Sequence, residues 1–347
     1  MHLWVRAEQR PNERRVGVTP DGVSTLVAAG LNVTVEESPE RIIPIQYFAD
    51  AGAVIAPQNS WPDAPRDTVV FGLKELPDDG TPLVHRHIMF GHAFKGQHAG
   101  RRLLQRFRDG GGALFDLEYL FDDEGRRVAA FGYWAGFAGA AVTLKAWCAQ
   151  QRGEECGPVD AWSDKSSLLA ELGAEVQKID RSPAAIVVGA LGRVGAGAAD
   201  LCESQGVRVT RWDMAETAHG GPFPEILEHE LFFNCILARP GTPVLVPPDA
   251  PGSSRRLTAV GDIACDFDSD YNPVPLYEHA TSWEAPVIRV YDDPPLDIMA
   301  IDNLPSLLPL ESSKDYAQQL LPTLLTLVDI QGSAWERALL EFEKHAS

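Results

Sequence analysis

Residues 185–197 read Ala185-Ile186-Val187-Val188-Gly189-Ala190-Leu191-Gly192-Arg193-Val194-Gly195-Ala196-Gly197, and the fold turns on them. The apolar run 185–188 is the pattern of a strand buried on both faces. It runs straight into glycines at every third position, and residues 198–204 continue as a helix. Residues 207–212 form a second strand pattern, closed by Asp213. Strand, glycine turn, helix, strand, acid is the order of a dinucleotide-binding unit. The turn lets a pyrophosphate approach backbone N–H groups at the helix N-terminus. The acid, near the usual spacing of about 20 residues past the turn, would bond adenosine ribose hydroxyls. An acid there repels a 2′-phosphate, which favours NAD over NADP as cofactor. The spacing is G-x-x-G-x-x-G rather than the usual G-x-G-x-x-G, so a helix–strand packing turn without a ligand is the competing reading.

Outward from this unit, strand-like and helix-like runs alternate almost throughout. That predicts an α/β protein with largely parallel sheets. Toward the N-terminus, residues 3–5, 31–35, 69–73, 88–90 and 113–117 read as strands. Thr19-Pro20 marks a helix start that Gly30 ends, and 95–108 reads as a further helix. Residues 128–150, apolar and rich in small side chains, read as one long buried helix that crosses between domains. Residues 312–330 and 334–345 read as two closing helices, with Ser312-Ser313 as a cap. The Pro-rich stretches at 240–251 and 294–295 look like loops.

The chain has 347 residues, enough for about two domains. Its net charge of −19 argues against nucleic acid and against an anionic membrane surface, both of which need a basic face. The N-terminus lacks a signal-peptide pattern and no apolar run is long enough to span a membrane, so neither is expected. Five scattered cysteines, at 148, 156, 202, 235 and 265, suit free thiols in a reducing cytoplasm.

The first third of the chain carries the chemistry. Lys74 ends an apolar strand, where partial desolvation lowers a lysine's pKa toward that of a working base. A lysine snorkelling to solvent beside Glu75 is the competing reading. His92 ends the next strand; a hydrogen-bonded core histidine is its ordinary alternative. His85 and His87, two apart on a strand, have no carboxylate or cysteine at matching spacing, so no metal is expected. Arg14-Arg15 and Arg126-Arg127 offer guanidinium forks for carboxylates. Arg127 directly precedes the apolar 128–131, which makes a simple surface charge pair a weaker account of it. No Gly-x-Ser-x-Gly motif or Cys–His context supports acyl transfer.

These segments resemble the NAD-dependent, lysine-forming saccharopine dehydrogenase family, within the superfamily of alanine dehydrogenase and the transhydrogenase NAD domain. The resemblance covers nearly the whole chain. Its most specific pieces are residues 125–139, 189–197, Gly220-Gly221-Pro222-Phe223, and 301–309; the segments 72–75 and 14–20 also occur in alanine dehydrogenases. The resemblance implies two Rossmann-like domains with a cleft between them. Residues 1–134 with 305–347 would form the substrate domain and 135–304 the NAD domain. The family oxidises saccharopine at its secondary amine, passes hydride to NAD, and hydrolyses the imine to lysine and 2-oxoglutarate. By motif, Lys74 would be the base and His92 the acid–base group of the later steps. Arg15, Gln97, Arg127 and Phe131 would contact substrate. Arg126, Gly189, Gly192, Arg193, Gly195, Asp213 and Thr217 would face NAD. Asp262, Ile301, Asp302, Asn303 and Leu304 would line the cleft on the cofactor side, and Glu75 and Glu118 would tune Lys74 and His92.

Some positions depart from the family pattern. Leu237 replaces a tyrosine beside NAD, Val194 replaces a cysteine in the glycine turn, and 266–270 is unusually acidic. These departures leave room for a related opine-type or alanine dehydrogenase acting on another amino acid and 2-oxo acid pair. A catalytically silent NAD-binding protein is a further class, against which Lys74 and His92 stand. The expected partners are small-molecule substrates, with the chain a monomer or small homo-oligomer in the cytosol. The terminal His345-Ala346-Ser347 carries no peroxisomal address.

Overall fold

The computed structural model describes residues 1–346. The chain divides into two compact units, Met1–Ala130 with Pro309–Ser347, and Phe131–Leu308. The first contains β1 (His2–Val5), α1 (Pro20–Ala28), β2 (Asn32–Glu36), α2 (Ile45–Asp50), β3 (Val54–Ala56), β4 (Val69–Phe71), β5 (Arg86–Met89), α3 (His98–Gly110) and β6 (Ala113–Asp116). Its sheet order is β3-β2-β1-β4-β5-β6, with every neighbouring pair parallel. In this doubly wound order the chain leaves β1 toward β2 on one side, while β4 joins on the other. The loops after β1 and β4 therefore diverge at a switch point, where such sheets take ligands. Helix α1 is closed as its sequence demands: the Thr19 hydroxyl accepts from Gly22 N–H, Pro20 opens the first turn, and Gly30 follows with φ of 87°. Helix α3 starts at His98 rather than at Lys95. His92 and Gly96 have φ of 47° and 74°, left-handed values that a right-handed helix cannot contain.

The second unit opens on the long helix α4 (Gly132–Gln151), followed by α5 (Lys165–Val176), a helix that the sequence reading left out. Next come β7 (Ala184–Val188), α6 (Arg193–Ser204), β8 (Arg208–Trp212), the single turns α7 (Met214–Thr217) and α8 (Pro224–Leu227), β9 (Leu231–Asn234), β10 (Ala259–Asp262), β11 (Ile288–Asp292) and β12 (Pro295–Met299). The sheet order is β11-β12-β10-β9-β7-β8, parallel except for β11. The strand alternation of β7 explains its unbroken apolar run. Ala185 and Val187 pack with Phe137, Leu144 and Trp147 of α4, while Ile186 and Val188 face Phe232, Val260 and Ile298 on the other side. Its switch point lies between β7 and β9, where the glycine turn leaves the sheet.

The chain returns to the first unit as α9 (Pro309–Leu324) and α10 (Ala334–Ala346). Helix α9 begins three residues before the Ser312-Ser313 pair expected to cap it. Both serines are buried inside the helix. Ser313 Oγ donates to Pro309 O and accepts from Val16 N–H at 3.0 Å, which ties the helix to the loop after β1. Trp335 and Phe342 anchor α10 edge-on against Phe115 and Phe107.

His85 and His87 point to one face of β5, buried with Trp61 and Phe107. His85 Nε2 reaches Ala64 O at 3.0 Å, whereas neither ring nitrogen of His87 has a partner among the described residues. Burial, then the nearby Arg6 guanidinium, holds the His87 pKa well below its ordinary value. The native state therefore refuses a proton that the unfolded chain takes below about pH 6.5. The contribution is intact above that pH and is lost as pH falls through it. His87→Leu should flatten this acid loss, read as a smaller drop in urea midpoint between pH 7.5 and 5.5 than the parent shows; an equal drop would exclude His87 as its source.

Candidate active site

In the first unit the chemistry-bearing residues leave the carboxyl ends of adjacent strands. Glu8 follows β1, Lys74 and Glu75 follow β4, His92 follows β5, and Glu118 follows β6. Lys74 is half-buried on a fixed root: its N–H donates to Glu8 Oε2 at 3.1 Å and its carbonyl accepts from the buried Arg6 guanidinium. Leu73 N–H donates to the other Glu8 oxygen at 2.6 Å. His92 Nδ1 lies 3.4 Å from Glu118 Oε2, a charge pair rather than a well-formed hydrogen bond. Lys95 Nζ donates to Glu118 Oε1 at 2.8 Å. Contact with Glu118, opposed by burial, raises the His92 pKa, and Glu75 and Asp116 add to the effect. In return His92, then Lys95, holds Glu118 near 2. A histidine raised toward neutrality, with its side chain 46% exposed, can both give and take a proton at working pH.

The arginines divide. Arg127 is exposed, with no ion pair or side-chain hydrogen bond among the described residues. Arg126 is 73% exposed and pairs with Asp122 and Glu124, shaping the turn before Arg127. Arg15, expected as a carboxylate grip, is buried in a fork with Glu13, Nε–Oε1 2.8 Å and Nη2–Oε2 2.6 Å. Burial alone would raise Glu13, but Arg15 overrides it and holds the carboxyl at about 2. Lys74 contributes to the same lowering, so Glu13 lies near the lysine. Gln97 is exposed at the start of α3 and makes no side-chain capping bond. Phe131 is half-buried at the start of α4.

In the second unit the glycine turn is a cradle that side chains would fill. Gly189 has φ of 88°, and a Cβ there would come 2.9 Å from Cys235 O; at Gly195 it would come 2.2 Å from Gly189 O. Gly192 is the N-cap of α6 and offers no side chain to the first N–H groups, which leaves them for an anion. Arg193 is exposed beside them. Asp213 braces the turn, its Oδ2 accepting from Leu191 N–H at 3.0 Å, and it caps α7 with Glu216. The Thr217 hydroxyl turns back to Asp213 O at 3.1 Å. Leu191, Met214 and Leu237 stand exposed past the ends of β7, β8 and β9, an apolar surface beside the anion cradle. These features fit a dinucleotide. Among its described residues the first unit shows no second cradle: the acid that ends its β2, Glu36, is fully buried and accepts from Trp4 Nε1 and from the N–H groups of Ala7, Asn59 and Trp61.

Asp262, expected to line the site, is fully buried and accepts from Asn234, Tyr277 and Cys265 N–H. It organises strand ends from within rather than presenting an oxygen. Ile301 and Leu304 are likewise buried, while Asp302 is exposed and Asn303 takes a left-handed φ of 64°. Sequence reasoning missed Glu8, Glu13 and Asp116. Each is an acid close in sequence to a residue it did single out, and that proximity was the available signal. Among the described residues no helix is long and apolar enough to cross a membrane, and no group of three or more metal-ligating side chains assembles.

A family model, the alanine dehydrogenase/PNT N-terminal domain, matches residues 4–138. A solved L-alanine dehydrogenase superposes with a TM-score of 0.71 at 19% identity, covering 99% of this chain and 94% of that one. A transhydrogenase from Sinorhizobium meliloti gives 0.62 at 19% identity, covering 95% of each. The fold is therefore that of the alanine dehydrogenase and transhydrogenase class. Sequence narrows it further. A saccharopine dehydrogenase [NAD(+), L-lysine-forming] of Yarrowia lipolytica is 42% identical over 99% of this chain and 97% of its own length. The enzymes of that name from Neurospora crassa and Candida albicans are 42% and 40% identical over 99% of this chain, covering 95% and 97% of their own lengths. The chain belongs to the lysine-forming saccharopine dehydrogenase family.

Proposed function

We propose that this protein is an NAD-dependent oxidoreductase that oxidises saccharopine at its secondary amine and releases L-lysine and 2-oxoglutarate, reversibly. The observation that carries this reading is the 42% identity to the Yarrowia lipolytica enzyme across 99% of the chain. Acid–base side chains on adjacent strand ends of one unit, and a glycine cradle in the other, support it. Bound NAD supplies the hydride acceptor. Gly189, Gly192 and Gly195 would hold its pyrophosphate, with Arg193 and Thr217 beside them. Asp213 would meet the ribose, and Leu191, Met214 and Leu237 would offer the adenine an apolar surface. Asp302 and Asn303 would face the cofactor, with Asp262, Ile301 and Leu304 holding that segment from inside.

The proton work falls to the first unit. Lys74 takes the proton that the secondary amine gives up on oxidation. Water then adds to the imine, and collapse of the carbinolamine needs a proton delivered to the departing amine and one removed from the hydroxyl. His92, sustained by Glu118 and Glu75, serves these transfers. Arg127, with no ion partner among the described residues, is available to a substrate carboxylate, and Gln97 and Phe131 would be further substrate contacts. Arg15 would act through Glu13, and Arg126 through the turn that presents Arg127. The setting we infer is the cytosol, where its five free thiols stay reduced, with the chain a monomer or small homo-oligomer.

The test is spectrophotometric. Purified protein given 2-oxoglutarate, lysine and NADH should lose absorbance at the NADH band. Loss with another amine but not with lysine would move the substrate to a related opine. No turnover with any amine, despite NADH binding, would leave a silent binding protein.

A further inference from the structure

Asp116, the last residue of β6, is fully buried. Its Oδ1 accepts from Glu118 N–H at 2.9 Å, and Gly91 N–H lies against the same carboxyl. Oδ2 has no hydrogen-bond partner among the described residues. A Cβ on Gly91 would sit 2.7 Å from Leu114 Cδ2 and 3.2 Å from that Oδ2, so the bare glycine lets both the leucine and the carboxyl pack under the turn. Gly91 precedes His92, whose left-handed φ of 47° needs outside support in a non-glycine residue.

We propose that Asp116 is a positioning residue of the reaction: its carboxyl, wedged beneath the turns after β5 and β6, sets Glu118 against the His92 imidazole. The inference rests on the reading of His92 as the acid–base group. Geometry makes the case, because one side chain reaches the backbone of both turns that carry the pair. No other described side chain forms a hydrogen bond to the backbone of Glu118. Charge adds to it. Glu118 and Tyr119 follow β6, His92 and Lys95 follow β5, Glu75 follows β4, and the buried Tyr316 on α9 also senses Asp116. Burial pushes the Asp116 carboxyl up to about 6, opposed by the two N–H groups.

The test uses full-length D116N and D116A. The His92 ring titration is followed by NMR, assigned by its loss in H92Q, alongside kcat and KM against pH. Asparagine keeps the accepting oxygen and removes the charge. D116N should therefore move the His92 ring titration, and the kcat–pH profile that follows it, to lower pH. Alanine removes the wedge, so D116A should lose about tenfold or more in kcat with KM changed by less than about threefold. Wild-type kcat in D116A, or an unmoved His92 titration in D116N, overturns the proposal. If D116A does not fold, the D116N titration decides alone. Full turnover by H92Q would instead defeat the acid–base reading of His92, an outcome separate from the ring titration in D116N.

Discussion

Lys74→Met should cut kcat by about 10²–10⁴-fold, the usual worth of a positioned acid–base group. The same change should leave NADH affinity, read by fluorescence titration, within about twofold. The split follows from where the residue sits. Lys74 belongs to the unit that lacks a glycine cradle, and its backbone is fixed by Glu8 and Arg6 rather than by its own side chain. Removing the ammonium should therefore spare the strand end. Methionine keeps the length and apolar stem, so the packing of a half-buried lysine survives the change. Turnover within about tenfold of the parent, or a parallel loss of turnover and NADH binding, would make Lys74 a structural residue.

Strands β1, β2 and β4–β8 and the glycine turn were legible because each rests on a local rule: apolar runs closed by a polar residue, and glycines where only a bare backbone fits. Adjacency was not legible. The sheet order β3-β2-β1-β4-β5-β6 is what brings the ends carrying Lys74, His92 and Glu118 side by side. Three misreadings share one cause, that a motif reports residue types and not their partners. Arg15 reads as a free fork, yet the loop after β1 folds so that Glu13, two residues back, occupies it. The resemblance puts Asp262 on the cofactor cleft, yet Asn234, Tyr277 and Cys265 N–H enclose it. Ser312-Ser313 reads as a cap, yet Pro309 already opens the helix and the serines serve a tertiary contact. Helix α3 failed differently. Its side-chain pattern extends back to Lys95, but the backbone at His92 and Gly96 is left-handed.

Gly197→Ala should disable the second unit. Helices α4 and α6 pass so closely that a Cβ at Gly197 would lie 1.9 Å from Tyr133 O, and one at Gly136 would lie 1.8 Å from Val194 O. Both obstacles are backbone, so no rotamer change relieves them, and the helices must part by roughly an ångström or more to restore ordinary contact. Overpacking commonly costs about 1–3 kcal/mol, and a backbone obstacle belongs at the upper end. For a unit of this size that is a fall of roughly 6–12 °C in melting temperature. Function should suffer beyond stability, because α6 carries the glycine N-cap: moving the helix displaces the N–H groups proposed to hold the pyrophosphate from the end of β7. NADH affinity should fall by at least about tenfold at a temperature where the variant is still folded, judged by its far-UV spectrum. Gly157→Ala is the control, since nothing lies within 4 Å of the added methyl, and it should change stability by less than about 0.5 kcal/mol. If the two variants melt together and bind NADH alike, the close approach of α4 and α6 does not set the position of the turn.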